Sequence, residues 1–228
     1  MKSQIADNLA RVTQRIRLAE QRFHRQPGSV RLLAVSKTRP AEDILTAAAC
    51  GQYHFGENYL QEALEKITQL EGHELCWHFI GPIQSNKTRA IARHFQWVHS
   101  VDRLKIARRL SEQRPSHLPP LNICLQINIS NEPSKSGIPL SELADIARHI
   151  GQLPGLQLRG LMAIPQRCNE FTLQRRPFRQ LREALHALNK AGAELDTLSM
   201  GMSADMEAAI AEGATMVRIG TDIFGPRD

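Results

Sequence analysis

Aromatic residues make up only 5% of this 228-residue chain, and no dense basic block with interleaved aromatics occurs in it. The stacking platforms and phosphate-tracking stripes of nucleic-acid binders are therefore missing, although a net charge of +6 would tolerate such a partner. The arginines are instead spread along helix-like stretches such as Arg11-Val-Thr-Gln-Arg15-Ile-Arg17, so no nucleic acid is expected. The four cysteines (Cys50, Cys76, Cys124, Cys168) show no C-x-x-C and no paired spacing, which argues against a disulfide framework or a zinc ribbon. Three of them lie in apolar runs and read as reduced core residues of a cytoplasmic protein. No apolar run approaches membrane-spanning length, and the polar start Met1-Lys-Ser-Gln-Ile-Ala-Asp-Asn-Leu9 has no signal-peptide core. No membrane partner is expected. Nine histidines form neither H-E-x-x-H nor a compact run of ligands, so no metal is expected either.

What is present is alternation. Short β-rich runs at 31–36, 53–56, 75–80, 96–100, 122–129, 157–163, 195–199 and 215–219 interleave with helical patterns at 41–50, 58–70, 86–94, 102–113, 140–150, 173–190 and 204–212. A further amphipathic helix over about 3–25 precedes them. Strands separated by helices must run parallel, and eight is the number at which such a sheet closes into a (β/α)8 TIM barrel. An open doubly wound sheet is the alternative, but the first strand-to-helix turn, Ser36-Lys-Thr-Arg-Pro40, lacks the G-x-G-x-x-G fingerprint. One α/β domain spanning 1–228 is expected.

The unusual residues gather at the carboxyl ends of these strands, the face on which such barrels carry their chemistry. Lys37 follows strand one, Asn58 strand two, and His78 lies near the end of strand three. Met162 ends strand six, Ser199, Gly201 and Ser203 follow strand seven, and Gly220 and Thr221 follow strand eight. Alternation puts Leu33, Val35 and Lys37 on one face, aiming the amine into the barrel mouth. Lost hydration there favours the neutral, nucleophilic amine. A lysine snorkelling into solvent is the alternative. Turns seven and eight, where this architecture binds phosphate, offer glycines, hydroxyls and helix starts, against a reading as ordinary caps. Arg218 shares a face with Met216 and Gly220. Turned inward it needs a partner, either a pyridine nitrogen or an internal salt bridge such as one to Glu57. Glu57 and Asn58 line the pocket or simply start a helix, and His78 is either a ligand contact or a satisfied interior residue. Lys135, in the loop Asn131-Glu-Pro-Ser-Lys135-Ser-Gly137, reaches a ligand or stays solvated. An amine that captures an aldehyde, facing a cradle that captures a phosphate, describes a site for pyridoxal 5'-phosphate (PLP).

The stretches Leu33-Ala-Val-Ser-Lys37-Thr, Phe55-Gly-Glu-Asn58-Tyr, Trp77-His-Phe-Ile-Gly81-Pro-Ile-Gln-Ser-Asn-Lys87, Lys135-Ser-Gly137, Leu198-Ser-Met-Gly-Met-Ser203-Ala-Asp205-Met and Val217-Arg-Ile-Gly220-Thr-Asp-Ile-Phe-Gly225 resemble the YggS/PROSC family of pyridoxal phosphate homeostasis proteins. The likeness runs from about Ala6 to Gly225. It implies an alanine-racemase-like barrel carrying PLP as an aldimine on Lys37. By the same likeness Ser199, Ser203, Gly220 and Thr221 hold the phosphate and Arg218 faces the ring nitrogen. It further implies regulation of free vitamin B6 and linked amino-acid levels without established turnover, and PLP-dependent apo-enzymes as transient recipients. A racemase or decarboxylase of the same barrel type is the alternative. Racemisation needs acid and base groups on both faces of the cofactor, which in barrel racemases a second domain helps supply, and this chain ends at Asp228. A cofactor-free Schiff-base aldolase on a phosphate-binding barrel is a third reading. A monomer is expected.

Overall fold

Eight parallel strands close on themselves in sequence order, β1 pairing with β8. They are β1 (Arg31–Val35), β2 (His54–Glu57), β3 (Cys76–Phe79), β4 (Trp97–Val101), β5 (Leu121–Gln126), β6 (Leu156–Met162), β7 (Thr197–Ser199) and β8 (Met216–Ile219). This computed structural model describes residues 2–130 and 136–226. Lys135 lies outside the described residues. The connecting helices are α2 (Ala41–Ala49), α3 (Leu60–Gln69), α4 (Thr88–His94), α5 (Leu104–Gln113), α6 (Leu143–Gly151), α7 (Phe171–Lys190) and α8 (Met206–Ala211), with α1 (Lys2–Arg22) before the barrel and α9 (Thr221–Phe224) after it. The (β/α)8 barrel is the expected architecture, and the open sheet is excluded by the closing β1–β8 ladder. No helix among the described residues is long and apolar enough to cross a membrane.

The two faces of each strand do different work. Outward side chains such as Phe55, Val98, Ile123, Leu161, Leu198, Val217 and Ile219 are buried under the helices and form the main core. Inward side chains fill the barrel, where Trp97, Cys124 and Met162 make a smaller apolar cluster. Helix α1 contributes the stripe Ile5, Leu9, Val12, Ile16 and Ala19, spaced to one helical face and buried against α2, α8 and α9. Asn8 Nδ2 donates to Ile223 O (2.8 Å) and Arg15 pairs with Glu207 and Asp222, so the N-terminal helix is fastened to the last two turns. The cysteine expectation needs correction. Only Cys124 is buried; Cys76 and Cys168 are half-buried and Cys50 is exposed, though all four are free thiols.

Candidate functional site

Lys37 lies two residues past the end of β1, half-buried in a turn rather than on the strand itself. The strand stops at Val35, so the turn, not strand alternation, sets where Lys37 stands. That turn is strained and braced. Thr38 adopts φ 62°, a left-handed conformation unusual for a β-branched residue. Its N–H donates to Glu62 Oε1 at 2.5 Å. One residue earlier, Ser36 Oγ donates to Glu57 Oε1 (2.6 Å), and Lys66 Nζ donates to Ser36 O and Glu57 Oε1 (both 2.8 Å) and to Glu62 Oε1 (2.5 Å). Glu57 is fully buried on the outer face of the sheet. It therefore neither lines the pocket nor meets Arg218; burial pushes its carboxyl up, and Lys66 opposes that rise.

Arg218 does face inward, opposite Leu33 in the β1–β8 register, and is buried. Its partners are neutral. Nη1 donates to Ser199 O (2.5 Å) and Ser199 Oγ (2.8 Å), and Nη2 to Ala163 O (3.0 Å). Burial depresses its pKa to about 10, so it is a cation at neutral pH. A guanidinium has more N–H donors than these three bonds use.

From Ser199 a chain of hydrogen bonds descends through the barrel interior. Ser199 Oγ meets His99 Nδ1 at 2.7 Å, His99 Nε2 meets His78 Nδ1 at 2.9 Å, and His78 Nε2 meets His54 Nδ1 at 2.9 Å. Arg218 donates to one lone pair of Ser199 Oγ, and the hydroxyl hydrogen has His99 Nδ1 within reach, which is one of the two directions in which the chain can run. His99 Nε2–H then serves His78 and His78 Nε2–H serves His54. His78 is thus a satisfied interior residue linked to the mouth through His99 and Ser199. Burial first, then neighbouring charge, holds His99 down to about 3, His54 to about 4 and His78 well below the usual range. These imidazoles are neutral in the fold and protonate near 6.5 once unfolded. As pH falls below about 6.5 the unfolded chain binds more protons, so stability falls by about 1.4 kcal/mol per pH unit for each histidine that stays neutral. His99→Gln is expected to remove about one proton from that dependence, read by urea unfolding at stepped pH. An unchanged slope would mean that His99 protonates inside the fold.

The glycine turns lie at the same opening as Lys37. Gly201 has φ 95°, and a Cβ there would lie 2.6 Å from Ala209 Cβ, so only glycine lets the chain after β7 fold back onto α8. A Cβ on Gly220 would stand 3.1 Å from Val35 O. The backbone after β8 thus passes directly beside the end of β1, two residues from Lys37. Thr221 is exposed and opens α9, Ser203 is half-buried, and Asp205 Oδ1 accepts from Met202 N–H at 2.6 Å. The opening N–H groups of a helix have no partner within it. Burial raises the Asp205 carboxyl.

Of the residues singled out from the sequence, Lys37, Ser199, Gly201, Ser203, Arg218, Gly220 and Thr221 gather around β1, β7 and β8. Met162 is buried next to them, paired with Ser199 across β6 and β7. Asn58 belongs to the other side of the mouth. It borders a cleft of about 320 Å³ shared with Ser100, Asp102, Gln126 and Asn128, and its buried Oδ1 has no hydrogen-bond partner. Ser100, Asp102 and Gln126 went unnoticed in the sequence. So did His99, which carries no motif and is recognisable only once β3–β4 pairing sets it beside His78.

The closed barrel is of the alanine racemase N-terminal class. Residues 8–228 match the family described as alanine racemase, N-terminal domain. The chain is 62% identical to the pyridoxal phosphate homeostasis protein of Pseudomonas aeruginosa, over 99% of this chain and 97% of that one. It is 55% identical to that of Escherichia coli, over 98% and 97%. Among solved structures, PipY of Synechococcus elongatus with PLP bound is 38% identical with a TM-score of 0.85, covering 97% of this chain and all of that one. Alanine racemase of Corynebacterium glutamicum, 20% identical with a TM-score of 0.70, shares the fold over 99% of this chain and 61% of its own. The chain belongs to the family of pyridoxal phosphate homeostasis proteins.

Proposed function

We propose that this protein holds PLP covalently on Lys37 and so maintains the intracellular pool of the cofactor and the amino-acid balance linked to it, without a turnover reaction of its own. The observation that carries the reading is the contact between the ends of β1 and β8. It sets the Lys37 turn beside the Gly220–Thr221 turn at one barrel opening. The residues present suit the group. Gly201 and Gly220 let the backbone after β7 and β8 pack tightly on α8 and on Val35, which sets both turns at the mouth, Ser199, Ser203 and Thr221 add hydroxyls for a phosphate, and Arg218 brings a buried cation with donors to spare. Met162 would pack against the ligand and Asn58 would act at the edge of the mouth, whereas His78, expected from the sequence to touch the cofactor, reaches the mouth only through His99 and Ser199. PLP, when bound, supplies an electrophilic aldehyde and an electron-withdrawing ring.

Arg218 supports holding over turnover. A guanidinium donating to a pyridine nitrogen disfavours ring protonation, and an unprotonated ring is a poor electron sink. The relatives are named as homeostasis proteins, not as racemases or decarboxylases. A compact barrel suits a monomer, and four free thiols suit the reducing cytoplasm. Release to PLP-dependent apo-enzymes would proceed by exchange of the Lys37 nitrogen for the recipient's lysine. The phosphate half of the reading is tested by titrating the protein with PLP and with pyridoxal. Pyridoxal is expected to bind about 100-fold more weakly, equivalent to two charge-assisted hydrogen bonds of about 1.5 kcal/mol each. Equal affinity would remove the cradle from the account.

A further inference from the structure

At the opposite end of the barrel from Lys37, the first residues of β2 and β3 bring together three side chains that sequence spacing keeps apart. His54 and Cys76 are direct partners in the β2–β3 register, and His78 follows Cys76 by two residues, on the same inward face. One ligand atom from each lies within 4.8 Å of the others. His54 Nδ1 and His78 Nε2 are 2.9 Å apart, and Cys76 Sγ is 3.5 Å from the same His78 nitrogen. Zinc bonds of about 2.0–2.1 Å to nitrogen and 2.3 Å to sulfur, at tetrahedral angles, require about 3.4 Å between nitrogens and about 3.6 Å between nitrogen and sulfur. The sulfur is already at that spacing from His78 and within 4.8 Å of His54 Nδ1. The imidazoles need to part by only about half an ångström, which replaces their shared hydrogen with the metal.

We infer that His54, Cys76 and His78 form a binding site for a thiophilic divalent cation of the zinc type. His78 is buried, whereas His54 and Cys76 are half-buried, so the site opens to solvent on one side and leaves room for a water as fourth ligand. Neutral imidazole and thiolate are the ligand types zinc prefers. His54 and His78 are kept neutral by burial. The Cys76 thiol, raised to about 11 by burial, must lose its proton on binding. The Sγ–H bond breaks, the metal–sulfur bond forms, and one proton leaves to solvent. Arg31, at the start of β1, acts on all three groups. Its charge favours the thiolate and opposes a bare cation.

The outer shell is already built. A metal-bound His usually donates its other N–H to an acceptor, and His78 Nδ1 faces His99 Nε2 at 2.9 Å. Metal on His78 Nε2 puts the proton on Nδ1, which donates to His99 Nε2. His99 Nδ1–H then donates to Ser199 Oγ, whose two lone pairs accept from His99 and Arg218 together. Binding at the floor thus fixes the chain in the direction that runs from the metal to the mouth and frees the Ser199 hydroxyl hydrogen there.

The test is titration of the purified full chain with Zn2+ against a chromophoric chelator, and with Co2+ followed by absorbance. The expected result is one equivalent of Zn2+ and a thiolate-to-cobalt charge-transfer band. Cys76→Ser should abolish the band, and His54→Ala should weaken Zn2+ by about 100-fold or more. His99→Phe, which removes only the supporting acceptor, should weaken it about 10-fold or more. Circular dichroism on each variant separates loss of the site from loss of the fold. A wild-type protein that takes no stoichiometric Zn2+ overturns the proposal. So does one that binds cobalt without a thiolate band, or a band that survives both Cys76→Ser and His54→Ala.

Discussion

Lys37→Ala is expected to give a folded protein that no longer develops the visible absorbance of lysine-bound PLP and yields no borohydride-reducible adduct. The loss should be complete rather than graded, because the covalent link needs one nitrogen at the mouth beside the β8 turn. Lys66, the nearest amine in the brace, cannot replace it. Its Nζ is committed to Ser36 O, Glu57 and Glu62 on the far side of the sheet. Stability should change little, within about 0.5 kcal/mol, since Lys37 stands half-exposed in a turn and fills no core position. Unchanged circular dichroism with lost absorbance is the expected pair of results. A variant that still colours with PLP would place the covalent link on another lysine.

Lys66→Met is expected to cost about 3–5 kcal/mol of folding stability, the penalty for stranding a buried charge, and to lower Tm by on the order of 10 °C. Glu57 is fully buried and its Oε1 is shared by Lys66 Nζ and Ser36 Oγ. Without the ammonium, that carboxylate must either stay charged in a poorly solvated place or take up a proton. The double variant Glu57→Gln, Lys66→Met should recover much of the loss, because it removes the charge along with its partner. The damage should also reach function. Ser36 O loses one of its two donors one residue before Lys37, keeping the Arg39 N–H, and Glu62 keeps only the Thr38 N–H of the two groups it held. PLP capture should therefore slow or weaken. A loss of under about 1 kcal/mol would show that the pair is not the brace described here.

The barrel was legible because each strand was bounded by turn chemistry and followed by a helical period. Strand boundaries moved by at most three residues, the largest shift being β5, which ends at Gln126 and not at 129. The run continues apolar through Ile127 and Ile129, but among the described residues past Gln126 the pairing is an isolated bridge, Ile127–Ile138. The short helix Thr221–Phe224 left no periodic signal, four residues being barely one turn. At the site, alternation correctly turned Arg218 inward, since β8 is regular through Ile219. The same rule did not reach Lys37, because β1 ends at Val35 and a strained Thr38 takes over. Glu57 illustrates the opposite limit. It lies in a motif beside Asn58, yet the strand sends it to the outer face, where Lys66 from α3 awaits it. The histidine chain was invisible for a different reason. His54, His78 and His99 lie on three strands and meet only through inter-strand register, which no local pattern in the sequence encodes.

The most direct measurement of the central claim is borohydride reduction of the PLP-loaded protein followed by proteolysis and mass spectrometry of the modified peptide. A phosphopyridoxyl group at a single position, Lys37, is the predicted result. The same group on Lys66 or Lys87, spread over several surface lysines, or found nowhere, would contradict it.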